Sequence, residues 1–526
     1  MHQIVLYDTT LRDGSQREDI SLSCDDKLAI AQRLDQLGIH YIEAGWPGSN
    51  PKDAEFFQRI GRLGLEHARM VAFGATRRKN GRCDTDKNLQ ALVAAGTPAV
   101  ALVGKSWDFQ VEKVLETSLE ENLAMIGESI AFMKQHGAET IFDAEHFFDG
   151  YKANPDYALA ALRAASDAGA EYAVLCDTNG GCLPWEVESI VREVHARIPC
   201  KLGIHVHNDS GCAVANSLAA VRGGCVHIQG TINGYGERVG NADLTSIIPG
   251  LQLKLGYSVV KPDQLRELAS VSRYVAEIAN LQHDRFQPYV GESAFAHKGG
   301  IHAAAMLKAA NSYQHIDPEV VGNVSRMVVS ELSGRGNVLS LARRRGLEIG
   351  EEQAQRVLDQ LKKLEHQGYA FEAAEASVDL LIHRARTGYK PPFELIDFMV
   401  LAEHRRGRGL LSEATVKLRV GDEVRFTAAE GNGPVNALAQ ALHQVLCQQY
   451  PQLEGIQLTD YKVRILNTGK GTASVTRVLT DFHDGERTWT TVGASPNIIE
   501  ASWQALSDSM EYALMEGAPI KKSAST

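Results

Sequence analysis

The sequence predicts a parallel (β/α)8 TIM barrel followed by helical accessory subdomains and a small α+β C-terminal domain. Short β-branched runs alternate with helix-period segments from the first residue to about residue 256. Suspicious polar residues collect directly after those runs, and the pattern turns helical near Lys261 and strand-like again near Leu411. The chain's 526 residues ask for several structural units. We divide it at 1–260 (barrel), 261–410 (helical linker and accessory subdomains), 411–517 (small C-terminal α+β domain) and 518–526 (polar tail).

The barrel strands are expected at Gln3–Tyr7, Ile39–Glu43, Met70–Phe73, Ala99–Val103, Thr140–Asp143, Tyr172–Cys176, Leu202–Val206 and Val226–Gln229. The first helix carries clear signals: Ser23 and Asp26 fit an N-terminal cap, Leu28, Ala31, Leu34 and Leu37 form an apolar stripe, and Gly38 stops it. An open doubly wound sheet would need a glycine-rich phosphate loop after the first strand, and DTTLRDGSQ stands there instead. Helices follow at Asp263–Ala279, Glu351–His366 and Glu372–Thr387. Gly388–Pro392 and the basic run Arg405, Arg406, Arg408 mark linker or turn positions. The last unit has alternating strands at Val463–Leu466 and Ser474–Phe482 and helices at Pro434–Gln449 and Pro496–Met515.

Composition narrows the function. A net charge of −11 offers no counterion-release term for nucleic acid, so no nucleic-acid partner is expected. No apolar run reaches the length of about 20 residues that spans a bilayer, and the N-terminus has no basic region followed by an apolar one. The eight cysteines form no C-x-x-C pair and read as reduced thiols, so a cytoplasmic protein without membrane contact is expected.

In a barrel of this kind chemistry sits at the C-terminal ends of the strands. Asp8, Arg12 and Asp13 follow the first strand, Glu145 and His146 the fifth, and Asp177 and Thr178 the sixth; His205, His207, Asn208 and Asp209 end the seventh, and Asn233, Glu237, Arg238 and Asn241 follow the eighth. In LGIHVHND a period of two turns Gly203, His205 and His207 to the interior. Two unrelated polar histidines would give the same spacing, but Asp13 at the matching strand end favours a divalent cation acting as a Lewis acid. Arg12 beside it suits a carboxylate or a developing oxyanion, or else a rim salt bridge. Glu145 suits a general acid/base or the orienter of a histidine, and Asp8 a brace for the loop. Gly234, Gly236 and Gly240 permit unusual backbone angles near a ligand. His297 and His302, in AHKGGIHAAAM, offer a base on a loop that could close over the barrel mouth.

LRDGSQ with Lys27 after it, LGIHVHNDSGCAVAN and GTINGYGERVGNADL together resemble the α-isopropylmalate, homocitrate and citramalate synthase family over nearly the whole chain. The resemblance implies a Claisen condensation of acetyl-CoA with a 2-oxo acid, followed by thioester hydrolysis. It implies that Asp13, His205 and His207 hold a divalent metal (magnesium or manganese first, zinc second) with Asn241 at or near it, that Arg12 binds and polarises the oxo acid, and that Thr178 contacts its carboxylate. His302, supported by Glu145 and with Tyr313 nearby, would be the base. It further implies a homodimer and an end-product amino acid bound at the C-terminal domain. FDAEHFFDGYKANPDYAL after the fifth strand and SELSGRGNV at 330–338 resemble the branch that takes pyruvate, with isoleucine as the effector; the 2-oxoisovalerate branch is the alternative. A lyase of the same barrel superfamily would not need the C-terminal extension, and a sensor with a dead barrel would have lost one of Arg12, Asp13, His205 or His207.

Overall fold

The structure, a computed structural model, describes residues 3–61, 63–298, 302, 305–306, 308–327, 334–405, 409–466 and 473–515. The tail from 518, Arg406 and Arg408, residues 330–333 of SELSGRGNV, and parts of the 296–306 loop lie outside the described residues. The chain forms two compact units. One runs through Phe295 and includes His315–Ser325; the other holds Ala296–Gln314 and the chain from Arg326 onward.

The first unit is a closed barrel of β1 (Val5–Asp8), β2 (Tyr41–Gly45), β3 (Arg69–Ala75), β4 (Ala99–Lys105), β5 (Glu139–Glu145), β6 (Tyr172–Asp177), β7 (Lys201–Val206) and β8 (His227–Gly230). All neighbours are parallel, and β1 closes on β8 in the register Val5↔His227 to Asp8↔Gly230. Alternation along each strand divides the side chains between two cores. Tyr7, Tyr41, Val71, Phe73, Tyr172 and Val174 fill the interior, while Leu6, Ile42, Ala72, Val100, Leu202 and Ile204 meet the surrounding helices. Helix α1 (Cys24–Leu37) has the expected capping box between Ser23 and Asp26 and ends where Gly38 turns left-handed at φ 89°.

The second unit contains α2 (Arg335–Arg344), α3 (Glu351–His366) and α4 (Glu375–Arg384), which share a core built on Val338, Val357, Leu361, Val378 and Ile382. Two antiparallel sheets follow: β9 (Glu394–Arg405), β10 (Gly409–Val420) and β11 (Glu423–Gly431), then β12 (Gln457–Ile465), β13 (Thr476–His483) and β14 (Thr488–Ser495). Helix α5 (Pro434–Cys447) and helix α6 (Ile498–Met515) supply the apolar faces that cover them. The first of these sheets begins at Glu394, ahead of Leu411 where the sequence reading starts the last unit. Its opening strand lacks a clean period of two, with a register shift between Leu395 and Asp397.

Candidate functional site

The site is assembled at the C-terminal ends of the barrel strands. After β1 the chain folds back on itself: Asp8 accepts from the backbone N–H of Thr10 (2.9 Å) and from its hydroxyl (2.8 Å), and the N–H groups of Arg12 and Gly14 both bond the Thr9 carbonyl. This fold-back presents Arg12 and Asp13 over the barrel mouth. The Thr10 hydroxyl in turn accepts from the N–H of Ile232 at 2.8 Å, pinning the first loop to the last. Burial pushes the Asp8 carboxyl up to about 7, against the hydrogen bonds from Thr10.

Arg12 is held in place. Its Nε donates to Glu43 Oε1 at 2.5 Å, and its guanidinium carbon lies 4.0 Å from the centre of the Phe73 ring. Glu43, fully buried in the middle of β2, also accepts from the hydroxyls of Tyr7 and Thr9. Sequence reasoning missed Glu43, although it ends the expected second strand on the same parity as the inward-facing Tyr41.

Asp13, His205 and His207 converge, as the period of two on β7 predicts. Asp13 Oδ2 lies 3.3 Å from His205 Nε2 and 3.9 Å from His207 Nε2, and the two Nε2 atoms are 3.3 Å apart. All three side chains are buried, and one ligand atom from each lies within 4.8 Å of the others. Burial alone would raise the Asp13 carboxyl, but Arg12 and the two histidines overturn this and hold it well below the usual carboxylate range. His207 is pushed down to about 4 by burial and by His205. Asn241 forms an antiparallel bridge with His207; its amide N–H donates to the Tyr235 carbonyl at 3.1 Å, and its buried Oδ1 has no hydrogen-bond partner among the described residues. Gly240 makes this turn possible at φ 101°, where a Cβ would sit 2.0 Å from the Gly234 carbonyl oxygen. Two imidazoles, a carboxylate held ionised and an unpartnered carbonyl oxygen form a donor set that fits a divalent cation.

The other expected residues are placed as follows. Thr178 Oγ1 accepts from the His146 N–H at 2.8 Å, and Arg238 ties the Thr178 carbonyl to the Asp209 carboxylate with bonds of 2.8–2.9 Å. Glu145 ends β5 and pairs with Lys105, its register partner on β4. His302 and Tyr313 belong to the second unit, where their rings stack with centroids 4.1 Å apart, both exposed; the neighbouring His297 is buried.

Comparison with known proteins adds three findings. The HMGL-like family profile matches residues 3–275, the homocitrate synthase post-HMGL domain-like profile 289–369, and the LeuA allosteric (dimerisation) domain profile 372–514. The chain is 52% identical to an (R)-citramalate synthase of Geobacter sulfurreducens, covering 99% of this chain and 100% of the relative. It is 53% identical to an (R)-citramalate synthase of Synechocystis, covering 97% and 96%. A 2-isopropylmalate synthase of Methanocaldococcus jannaschii is 28% identical, covering 97% and 95%.

Proposed function

We propose, from the premise that this chain belongs to the (R)-citramalate synthase family of HMGL-like acyltransferases, that it condenses acetyl-CoA with pyruvate and hydrolyses the thioester to give (R)-citramalate and free CoA. The observation that carries this reading is the buried Asp13–His205–His207 cluster beside an arginine clamped by Glu43. In the proposed site Asp13, His205, His207 and Asn241 hold a divalent cation, magnesium or manganese before zinc. The cation, when bound, supplies Lewis-acid polarisation of the oxo acid. Arg12 grips the oxo acid with its fixed fork and stabilises the charge that grows on the keto oxygen, at no reorganisation cost because Glu43 and Phe73 already fix it. Thr178 positions the substrate carboxylate.

The acetyl methyl is weakly acidic, so the reaction needs a positioned base. We assign that role to His302, with Glu145 in support and Tyr313 adjacent. The base takes a methyl proton, and the resulting enolate carbon bonds to the keto carbon of pyruvate as the carbonyl π pair moves onto oxygen. That oxygen takes up a proton to become the hydroxyl, and water then cleaves the thioester C–S bond to leave a carboxylate and free CoA. His302→Ala is expected to lower kcat about 10²-fold or more while metal binding is retained; a fully active variant would move the role to His297.

The match of residues 372–514 to a LeuA allosteric (dimerisation) domain supports a homodimer with an amino-acid effector at the second unit. We assign isoleucine as that effector, in keeping with citramalate as the first product of a pyruvate route to isoleucine. Inhibition kinetics with isoleucine and leucine check this, and no effect of millimolar isoleucine would remove it. All eight cysteines are free, which supports a cytoplasmic enzyme. Among the described residues no helix is long and apolar enough to cross a membrane.

The deciding experiment measures CoA release with pyruvate, 2-oxoisovalerate and 2-oxoglutarate in parallel, each with and without a chelator. Chelator-sensitive release with pyruvate alone is expected. Preference for 2-oxoisovalerate would move the enzyme to leucine synthesis while leaving the site assignments standing.

A further inference from the structure

Beneath the histidines, deeper in the barrel, lies a polar chain that the reaction as described does not use. His205 Nδ1 is 2.9 Å from Gln229 Oε1, and Gln229 Nε2 is 3.0 Å from Asp143 Oδ1. Gln229 sits on β8 and Asp143 on β5, so the chain crosses the barrel interior. All three residues are buried, Gln229 completely. Burial raises the Asp143 carboxyl to about 7; above that pH it is a carboxylate with no hydrogen to donate, so the Gln229 NH2 faces it at 3.0 Å. Its carbonyl oxygen must then face His205, and because that oxygen only accepts, His205 Nδ1 must carry the proton. In the neutral imidazole the lone pair is thereby left on Nε2, the atom directed at Asp13 and His207.

We propose that Gln229 and Asp143 are positioning residues that fix the tautomer and ring orientation of His205, so that a preformed Nε2 donor faces the cation site. The inference rests on the metal-site reading above and deepens it. Buried amides in protein cores have two nearly equivalent orientations, and only one of them makes His205 a metal donor in this direction. Asp143 selects it. Partners of this kind, one bond removed from a metal, typically govern 10- to 100-fold in affinity.

The test uses the full-length protein and two readouts. Titration with Mn2+ followed by calorimetry gives affinity, and 15N-histidine NMR of the metal-free protein at pH 8.5 reports which ring nitrogen is protonated. Gln229→Leu is expected to weaken Mn2+ 10- to 100-fold and to abolish the Nδ1–H signature of one histidine. Gln229→Glu keeps an acceptor for Nδ1 and is expected to preserve that signature. Asp143→Asn frees the amide to turn and is expected to give a mixture of tautomers with intermediate affinity.

An unchanged tautomer and unchanged Mn2+ affinity in folded Gln229→Leu would overturn the proposal, and circular dichroism establishes that the variant is folded. Should Gln229→Leu not fold, Asp143→Asn decides: a single unchanged tautomer with unchanged affinity overturns the proposal. If the wild type binds no Mn2+, the metal-site reading fails on its own, and the tautomer readout still decides whether Gln229 and Asp143 set the ring.

Discussion

Glu43 holds more of the site together than any residue the sequence singles out. Its two oxygens serve Arg12, Thr9 and Tyr7 with no exposure to water. Removing such a carboxylate leaves the partly buried Arg12 guanidinium with only the more distant Asp13 at 3.8 Å, and breaking a fully buried pair costs about 3–5 kcal/mol, an upper bound here. Glu43→Gln keeps the shape and loses the charge, so kcat/KM for pyruvate should fall by roughly 10²-fold while the protein still folds; steady-state kinetics beside a thermal melt separate the two effects. Asp8 gives a second prediction. An unfolded aspartate titrates near 4, whereas the buried Asp8 is raised to about 7. The folded chain therefore holds a proton that the unfolded chain has lost between those values. The stabilising contribution of Asp8 is fully present below about pH 4 and is lost as pH rises through about 7. Asp8→Asn cannot titrate, so urea denaturation at pH 5 and pH 8 should show the stability of the wild type relative to the variant falling by roughly 1 kcal/mol or more. Asp13, His205 and His207 were legible because two histidines at a spacing of two need a third donor, and the first loop supplied one. Glu43, Gln229 and Asp143 were not, because a lone acid or amide at a strand end carries no spacing signal until the barrel closes around it.

Among the elements, the eight barrel strands were readable from sequence because each is buried on both sides and so appears as a short apolar run ahead of an amphipathic helix. Strand β9 was missed for the opposite reason. Its Met399 and Leu401 are exposed, so apolar residues occupy the face that should read as polar. The turn before Asn241 depends on a backbone only glycine adopts easily. Gly240→Ala is both strained at φ 101° and blocked by the Gly234 carbonyl. It should displace Asn241, lowering Mn2+ affinity measurably and the melting temperature with it, as calorimetry would record.

At the scale of the whole molecule, the sheet of β9, β10 and β11 presents two unlike faces. Ala414, Val416 and Leu418 are buried on one, while the register places Met399, Leu401, Val424 and Phe426 beside Thr415, Glu413, Arg419 and Lys417 on the other, exposed. Several large apolar side chains on one exposed face mark an association surface. Paired substitution Met399→Asp and Phe426→Asp should convert the proposed dimer to monomer in light scattering, with the far-ultraviolet spectrum unchanged. A dimer that survives both charges would place the contact elsewhere.

The Thr10–Ile232 bond joins residues 222 positions apart, and β8 is the strand that pairs with both β1 and β7. Asp13 follows one of those strands and the histidines end the other, so the three donors meet only after the last strand is inserted. A nascent chain with seven strands synthesised has every one of those donors and no chelating pocket. Partly made enzyme therefore has no assembled trio with which to compete for the cell's free divalent ions, and the proposed metal would shift the folding equilibrium toward the finished barrel alone.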